Sequence, residues 1–158
     1  MVRFMRKGKT RFYYVPTIAS ATLVPTTAEV TAGTRLDTQL AEINGFTFSN
    51  NPIAAPDMAS TFVSSISGED TTEDSNLVFY EDDTTNPIST AQAKGTNGYI
   101  VIFYKGIAGA APAAADKCDV WPIQVASNAR QYTADNEAAK YQIVYTPTAV
   151  PGFDKALT

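Results

Sequence analysis

The sequence contains no histidine. Histidine is the commonest general base near neutral pH, so its absence weighs against many classes of enzyme. The single cysteine, Cys118, excludes an intramolecular disulfide and leaves the fold independent of an oxidising compartment. It lies between Lys117 and Asp119 with no activating partner nearby in sequence, which favours a structural role. No nucleotide-binding or serine-hydrolase motif is present. These absences predict a protein that is not an enzyme and that needs no cofactor or metal.

Long apolar runs are also missing. No run approaches the roughly 20 residues that a membrane span requires. The apolar segment that follows the basic N-terminus is interrupted by Pro16 and by several hydroxyl residues, which makes it a poor signal sequence. We therefore expect no membrane association and folding in a reducing cytoplasm. The 158 residues suffice for one sizeable core, which predicts a single domain over residues 1–158.

The residues that are present indicate β structure. Twenty threonines, eight tyrosines and eight phenylalanines favour a pleated surface, on which branched and aromatic side chains pack well. Short periodic segments predict strands at residues 11–16, 18–24, 45–50, 58–67, 76–81, 98–105, 119–126 and 139–146. One helix is predicted over residues 86–95, with Asn86 as its cap, Pro87 at its first position and Gly95 at its end. The expected fold is mainly β, a sandwich or barrel of about seven or eight strands with one flanking helix.

The remaining segments are predicted to be irregular. Residues 50–57 carry two prolines and are expected to form a loop. Residues 28–43 suggest a turn at Gly33 followed by a helical stretch, and residues 106–115 a loop of small residues. We expect a basic arm at residues 1–10 and a tail at residues 147–158, both flexible in a monomer and ordered on assembly.

Charge is distributed very unevenly along the chain. Five of the twelve bases lie in the first eleven residues, with no acid among them: Arg3, Arg6, Lys7, Lys9 and Arg11. Seven of the sixteen carboxylates lie within residues 67–87, which contain no base. A basic arm and an acidic segment on one chain suggest contact between copies, although a solvated arm is the alternative.

The acidic segment divides into two clusters. Glu81, Asp82 and Asp83 precede the predicted helix, where each carboxylate would stabilise the positive helix end by roughly 0.3–1 kcal/mol. The first cluster consists of adjacent pairs, Glu69-Asp70 and Glu73-Asp74, whereas a calcium loop of the EF-hand type needs ligands at alternate positions. A solvated hairpin loop is therefore favoured. A calcium- or glycan-binding β-sandwich module stays open as the alternative function.

Nucleic-acid binding through the basic arm is a further alternative. Its bases are interleaved with aromatic residues (Phe4, Phe12 and Tyr13), as in a surface that stacks bases and contacts phosphates. The isoelectric point of about 4.7 argues against it, because dedicated binders carry a basic face over the whole domain.

Several stretches, taken in their order and spacing, carry a family resemblance. They are MVRFMRKGKTRFYYVPTIA, PTTAEVTAGTRL, EINGFTFSNNPIAAPDM, FVSSISGEDTTEDSNLVFYEDDTTNPI, AKGTNGYIVIFYKG, KCDVWPIQV and ASNARQYTADNEAAKYQI. Over nearly its full length the sequence resembles the major tail protein, or tail tube protein, of long-tailed non-contractile bacteriophages. It is most similar to the type found in phages of actinobacteria. None of the stretches is a catalytic motif.

The resemblance implies a structural virion protein. Such proteins are β-sandwiches with a flanking helix that form six-fold rings, and part of each sheet joins its neighbours in a continuous inner β-barrel. The rings stack around a tape measure protein into a tube through which genome DNA passes without specific binding. The implied partners are other copies of the chain, the tape measure protein, and the tail terminator and tail-tip proteins. The implied location is the phage tail, with host cytoplasm during assembly. Some relatives add a C-terminal immunoglobulin-like domain, which we do not expect within these 158 residues.

Within that framework the sequence suggests three sets of assembly residues. The connection between the strands around residues 49–58 is the candidate ring-to-ring contact, through Asn51, Pro52, Pro56 and Asp57. The arm residues Arg6, Lys7 and Lys9 are candidates to pair with Glu69, Asp70, Glu73 and Asp74 of an adjacent copy. Because DNA carries about one charge per 1.7 Å, a bore must not be basic, and hydroxyl-rich strand faces suit it. The candidates to face the lumen are Thr47, Ser49, Thr61 and Ser65, although an ordinary solvent-exposed sheet would show the same pattern.

Overall fold

The computed structural model describes all 158 residues and contains ten strands and two short helices. In chain order the elements are β1 (Arg11–Val15), α1 (Thr27–Ala32), β2 (Thr34–Arg35), β3 (Leu40–Asn44), β4 (Phe48–Ala55), β5 (Ser64–Thr72), β6 (Ser75–Tyr80), α2 (Pro87–Ala91), β7 (Asn97–Phe103), β8 (Lys117–Gln131), β9 (Lys140–Pro147) and β10 (Gly152–Ala156). The protein is mainly β and consistent with a β-sandwich, as the sequence predicted.

Eight of the strands form one antiparallel sheet. Its order is β2-β1-β7-β8-β9-β6-β3, and β10 pairs with β8 beside this path. Strand β8 is the longest and links the two halves of the sheet. Its first half pairs with β7, and after an irregularity between Val125 and Ser127 its second half pairs with β9 alone. The bulge allows the sheet to curl, so that the β1-β7-β8 half packs against the β9-β6-β3 half.

The core consists of two clusters on opposite faces of strands β1, β7 and β8. The larger has 14 buried residues and joins Ile100 and Trp121 of one half of the sheet to Leu77, Ile143 and Tyr145 of the other. The smaller has nine and lies under α1 and the C-terminus. Strand β7 is thus covered on both faces, which explains why its sequence is continuously apolar rather than alternating.

A single long hairpin runs from β3 to β6. At its base β3 pairs with β6 as the edge of the main sheet. Beyond a break at residues 45–47, where Gly45 and Phe46 adopt positive φ angles of 84° and 57°, β4 pairs with β5 and forms a separate two-stranded sheet. The hairpin therefore continues the edge of the sandwich outward.

The prediction of a loop at residues 50–57 is wrong for residues 50–55, and the prediction of a strand at residues 58–67 is wrong for residues 58–63 and confirmed for residues 64–67. Strand β4 runs through Pro52 and ends at Ala55, and the connection occupies residues 56–63. Proline has no N–H to donate to the ladder. Pro52 is accommodated because the ladder is irregular between Asn51 and Ile53, so that no donor is needed at its position. Gly68 does not end β5, which continues to Thr72.

Two predictions near the N-terminus are also corrected. Residues 18–24 form no strand, because the chain turns there between Pro16 and Pro25, with Leu23 at a φ of 57°. The helix of the next segment precedes Gly33 instead of following it. Helix α1 begins at a capping box, in which Thr26 Oγ1 accepts from the Glu29 N–H and the Glu29 carboxylate accepts from the Thr26 N–H. Gly33 follows its last residue, and residues 40–44 form β3.

The C-terminal tail, expected to be flexible in a monomer, is part of the sandwich. Strand β10 pairs with β8, and Leu157 is buried in the smaller core cluster. The Thr158 carbonyl accepts a hydrogen bond from the Thr27 N–H at 2.7 Å, which ties the end of the chain to α1. Residues 1–9 of the arm are exposed, and its flexibility in a monomer stays a prediction.

Helix α2 begins at Pro87, as predicted, but ends at Ala91, well before Gly95. It spans five residues, and Asn86 makes no side-chain capping bond. Asp82 instead accepts from the N–H groups of Thr84 and Thr85, at 2.8 and 3.1 Å, and so organises the turn before the helix. Glu81 pairs with Arg130 at 2.6 Å. The second acidic cluster is therefore explained by a turn and an ion pair, not by the helix end.

Loss of the capping box gives a first testable prediction. Thr26→Ala is expected to reduce the free energy of unfolding by about 1 kcal/mol, because the Glu29 N–H loses its acceptor. The Glu29 carboxylate accepts from the N–H groups of Thr26 and Ala19, each at 2.8 Å, and these bonds hold its pKa below the ordinary value. The contribution of Glu29 is therefore present at neutral pH and is lost as pH falls through its folded-state pKa. Urea unfolding at pH 7 measures the change, and Thr31→Ala on the same helix serves as the control. Equal destabilisation by the two variants would contradict the assignment.

Candidate assembly surfaces

Beyond its base, the β4–β5 hairpin has no packing partner within its own chain. Neither strand contains a buried residue, and each pairs only with the other. Ile53 and Ile66, opposite each other in the ladder, are 55% and 59% exposed. The one aromatic contact to the sandwich lies at the base, where the Phe48 ring meets Phe153 at 5.6 Å between centroids. An isolated two-stranded hairpin is marginally stable in water, and in the single chain this one leaves both isoleucines in contact with solvent.

Side chains on the hairpin hold its two strands in register. Asn50 Nδ2 donates to the Gly68 carbonyl at 2.9 Å and to Asp70 at 2.7 Å. The hydroxyls of Ser49 and Thr71 lie 3.1 Å apart across the ladder. A side chain at Gly68 would overlap the Asn51 carbonyl oxygen, so glycine is required at that position. The hairpin is thus a defined element despite its exposure.

Most of the sequence-predicted assembly residues lie on this hairpin. Asn51 and Pro52 are in β4, Pro56 and Asp57 are in the 56–63 connection, and Glu69 and Asp70 are in β5. Glu73 and Asp74 lie between β5 and β6. Of the lumen candidates, Ser49 is in β4, Ser65 in β5, Thr61 in the connection, and Thr47 just before β4.

The structure does not bring the basic arm to these carboxylates within one chain. None of the ion pairs joins Arg6, Lys7 or Lys9 to the four carboxylates of the first acidic cluster. Lys9 Nζ instead lies 5.5 Å from the centre of the Phe4 ring. The arm and the first acidic cluster are therefore both available to other molecules.

Two free sheet edges were missed by sequence reasoning. Strand β3 pairs with β6 on one side only, and the second half of β8, residues 127–131, pairs with β9 on one side only. Between them β6 and β9 complete a four-stranded antiparallel unit that is open at both sides. One sequence signal was available for its hairpin side: no lysine or arginine occurs from Leu36 to Ala93, although ten carboxylates do.

The outer face of this four-stranded unit mixes polar residues with small apolar ones and carries little net charge. Directly paired residues share a face, so the side opposite the core carries Asn44, Asn76, Val144 and Ser127 in one row and Glu42, Val78, Gln142 and Ala129 in the next. Asn44 donates to Asn76 at 3.0 Å in one row, and Gln142 lies in the other. The base on this face, Lys140, is 4.0 Å from Glu42 and 3.9 Å from Glu137.

Comparison with known families decides what these surfaces belong to. The sequence model of a family described as phage tail tube protein matches residues 1–158. The chain belongs to the phage tail tube protein family. Its role is therefore structural, its place is the virion tail, and it assembles with itself and with other tail components. A search of curated proteins found no significant match. Membership of the type found in phages of actinobacteria stays a prediction.

The remaining chemistry of this tail tube protein is that of a packed core. Cys118 is fully buried, and burial together with the nearby Asp119 raises the pKa of its thiol to about 12. The thiol is therefore protonated at neutral pH and is a poor nucleophile. The buried Tyr145 hydroxyl donates to Gln92 at 2.5 Å, which satisfies two polar groups inside the sandwich.

Two further features bear on metal binding and on membrane insertion. The structure contains no group of three or more His, Cys, Asp or Glu side chains arranged to hold a metal ion. Its two helices, of six and five residues, are too short and too polar to cross a membrane.

Proposed function

We propose that the chain forms hexameric rings that stack around the tape measure protein into a tube, which later conducts DNA into the host. The observation that carries the proposal is the exposed β4–β5 hairpin, a structured element with nothing in its own chain to cover it. In this proposal subunits remain in the host cytoplasm until they add to a growing tube. Tail-tip proteins lie at one end of that tube and the tail terminator protein at the other.

The free edges support lateral contact within a ring. An unpaired strand edge exposes N–H and C=O groups that readily pair with another chain. We propose that β3 of one copy pairs with residues 127–131 of the next, so that the four-stranded units join into a closed inner barrel. Such a contact uses two different surfaces of one subunit, and heterologous contacts of this kind close into rings.

The outer face of the four-stranded unit supports a role in the bore because it carries no excess of positive charge. Exposed lysine and arginine side chains would retain a DNA duplex through its phosphates. The lysine on this face, Lys140, is flanked by two carboxylates, Glu42 and Glu137. We propose that this face lines the lumen. Thr47, Ser49, Thr61 and Ser65 remain candidates to extend the lining along the hairpin, since the hairpin continues the same sheet edge.

Microscopy of the purified protein tests the proposed function. Negative-stain images at increasing protein concentration are expected to show tubes, with six-fold symmetry in end-on views. A monomer that persists at high concentration would count against the proposal. A monomer at low concentration decides little, because tube growth is expected to need an initiator.

Pairing of the basic arm with the acidic cluster of another copy gives a second prediction. Changing Arg6, Lys7 and Lys9 together to glutamine is expected to weaken tube assembly at low salt. The difference from the wild type should shrink at high salt, because screening weakens exposed charge pairs in both. Sedimentation of tubes across a salt series measures the effect.

The control for this experiment changes the net charge equally but elsewhere. Lys94, Lys117 and Lys155 changed to glutamine remove three bases outside the arm, and this variant is expected to assemble more readily than the arm variant. Tube assembly of the arm variant indistinguishable from the wild type would eliminate the pairing.

A further inference from the structure

A groove of about 740 Å³ opens between the basic arm, β3 and the β1-β7-β8 half of the sheet. Its floor is apolar and aromatic, formed by Phe12, Leu40, Ile43, Phe46, Ile102 and Trp121. Ile43 is 49% exposed here although it lies on the core-facing side of β3, opposite the buried Leu77. The groove is an opening into the side of the larger core cluster, where apolar surface is left in contact with water.

The rim of the groove carries unpaired positive charge. Arg6 and Lys7 lie at the rim, and neither makes an ion pair within the chain. Of the two carboxylates that also line the groove, Asp37 pairs with Arg35 at 2.8 Å and with Arg11 at 3.7 Å. Asp119 accepts from the Asp154 N–H at 2.9 Å, which fixes its orientation but leaves its charge. The bases on the groove, Arg6, Lys7 and Arg11, outnumber its two carboxylates. A ligand for this groove should therefore combine an apolar body with a negative charge.

The connection at the tip of the hairpin, residues 56–63, has those properties. It exposes Met58, Phe62 and Val63, which are 105%, 75% and 57% exposed. Asp57 adjoins them, and the whole hairpin lies in the stretch of chain that contains no base. A phenylalanine that enters an apolar pocket, flanked by an opposite charge, is a common form of interface anchor.

The tip cannot reach the groove of its own chain. The hairpin begins at Phe48, two residues after the groove residue Phe46, and β4 has eight residues. At roughly 3.3 Å per residue the tip lies about 25 Å from the groove. Folding back would break the β4–β5 ladder. This segment can therefore enter the groove only from a second copy.

We propose that this groove receives the hairpin tip of a second copy, with Phe62 against the apolar floor and Asp57 near Arg6 and Lys7. The proposal rests on the stacking of rings proposed above and names the site of that contact. A groove at the base of the hairpin and a ligand at its tip make a head-to-tail contact. Repeated between copies, such a contact does not close on itself and generates an open stack.

Disulfide trapping tests the proposal in assembled tubes. A variant with both Ile43→Cys and Phe62→Cys should give a ladder of covalent multimers on mild oxidation, whereas each single variant should not. Cys118 does not interfere, since its side chain is fully buried. Tubes that form without a ladder would overturn the groove contact and leave the proposed tube function intact. Failure of the wild-type protein to form tubes under any condition would remove the proposed function itself.

A peptide titration decides the matter if the cysteine variant does not assemble. The probe is a synthetic peptide with the sequence of residues 54–66, added to wild-type protein at low concentration. Trp121 is the sole tryptophan and lines the groove, so its emission is expected to change on binding. The same peptide with alanine in place of Phe62 should bind at least about tenfold more weakly. Equal binding of the two peptides, or no response to either, would overturn the proposal.

Discussion

Replacing Gly68 with alanine is expected to abolish tube formation and to leave the melting temperature of the sandwich unchanged. A Cβ at this position would overlap the carbonyl oxygen of Asn51 on the opposite strand, so the ladder between β4 and β5 cannot keep its register. The hairpin pairs only with itself, and its loss removes no buried side chain from the core. Since an isolated hairpin is only marginally stable, one such clash is enough to disorder it. Circular dichroism on heating and negative-stain microscopy give the two measurements.

The chain offers a matched glycine as the control for this variant. Gly109 lies in the loop between β7 and β8, and a Cβ there would meet its nearest neighbour, the Ala111 carbonyl oxygen, at an ordinary 3.8 Å. Gly109→Ala is therefore expected to melt and assemble as the wild type does. Tubes formed by Gly68→Ala at wild-type concentration would show that assembly does not depend on the hairpin. A large loss of melting temperature would show instead that the hairpin supports the sandwich.

Replacing Phe79 with alanine is expected to produce the opposite result, with a large loss of stability. Phe79 is fully buried at the centre of the larger core cluster, and its ring stacks on Tyr141 at 5.4 Å between centroids. Removal of a buried phenylalanine leaves a cavity and costs about 3–5 kcal/mol. For a chain of this size the melting temperature should fall by roughly 10 °C or more. Chemical denaturation of the monomer measures the change directly.

The control makes the same chemical change at an exposed position. Phe62 is 75% exposed at the hairpin tip, so Phe62→Ala should alter the free energy of unfolding by less than about 0.5 kcal/mol. This control should nevertheless assemble poorly, because it removes the proposed anchor. Similar stability losses in the two variants would mean that the packing described for Phe79 is wrong.

Central strands of the sandwich could be predicted from local pattern alone. In β9, Tyr141, Ile143 and Tyr145 alternate with more polar residues, and all three are buried as expected. Strands β6 and β7 were located within about two residues. In these segments burial is strong and regular, so the polarity of each side chain indicates whether it faces the core or the solvent.

Elsewhere the local pattern is weak or points to the wrong place. The capping box at Thr26 and Glu29 marks the true start of α1, a sequence signal that the prediction of a helix after Gly33 does not use. Strand β10 is five residues long with no buried alternation, and it exists because β8 offers it an edge. The two prolines of residues 50–57 predict a break in the strand, yet Pro52 lies at an irregularity of the ladder and Pro56 just beyond its end.

Some features of the candidate assembly surfaces could likewise be predicted from local sequence, and others could not. The charge of a side chain follows from its residue type, so the basic arm and the acidic stretch without lysine or arginine could be found without a structure. Free edges, an unsupported hairpin and a groove are relations between distant segments, and no local pattern encodes which strand lacks a neighbour. Pairing depends on contacts such as those of β3 with β6, whose residues are more than 30 positions apart.

Sequence alone determined the β class, the central strands, the charge polarity and the family resemblance that the family comparison confirmed. Tertiary structure alone decided that residues 40–80 form one long hairpin, that β10 belongs to the sandwich, and that two edges and a groove stay open. The physical reason is that burial of a side chain depends largely on its own polarity. Backbone pairing and unfilled space depend on which other part of the chain arrives there, and in this protein we propose that other copies fill the places left open.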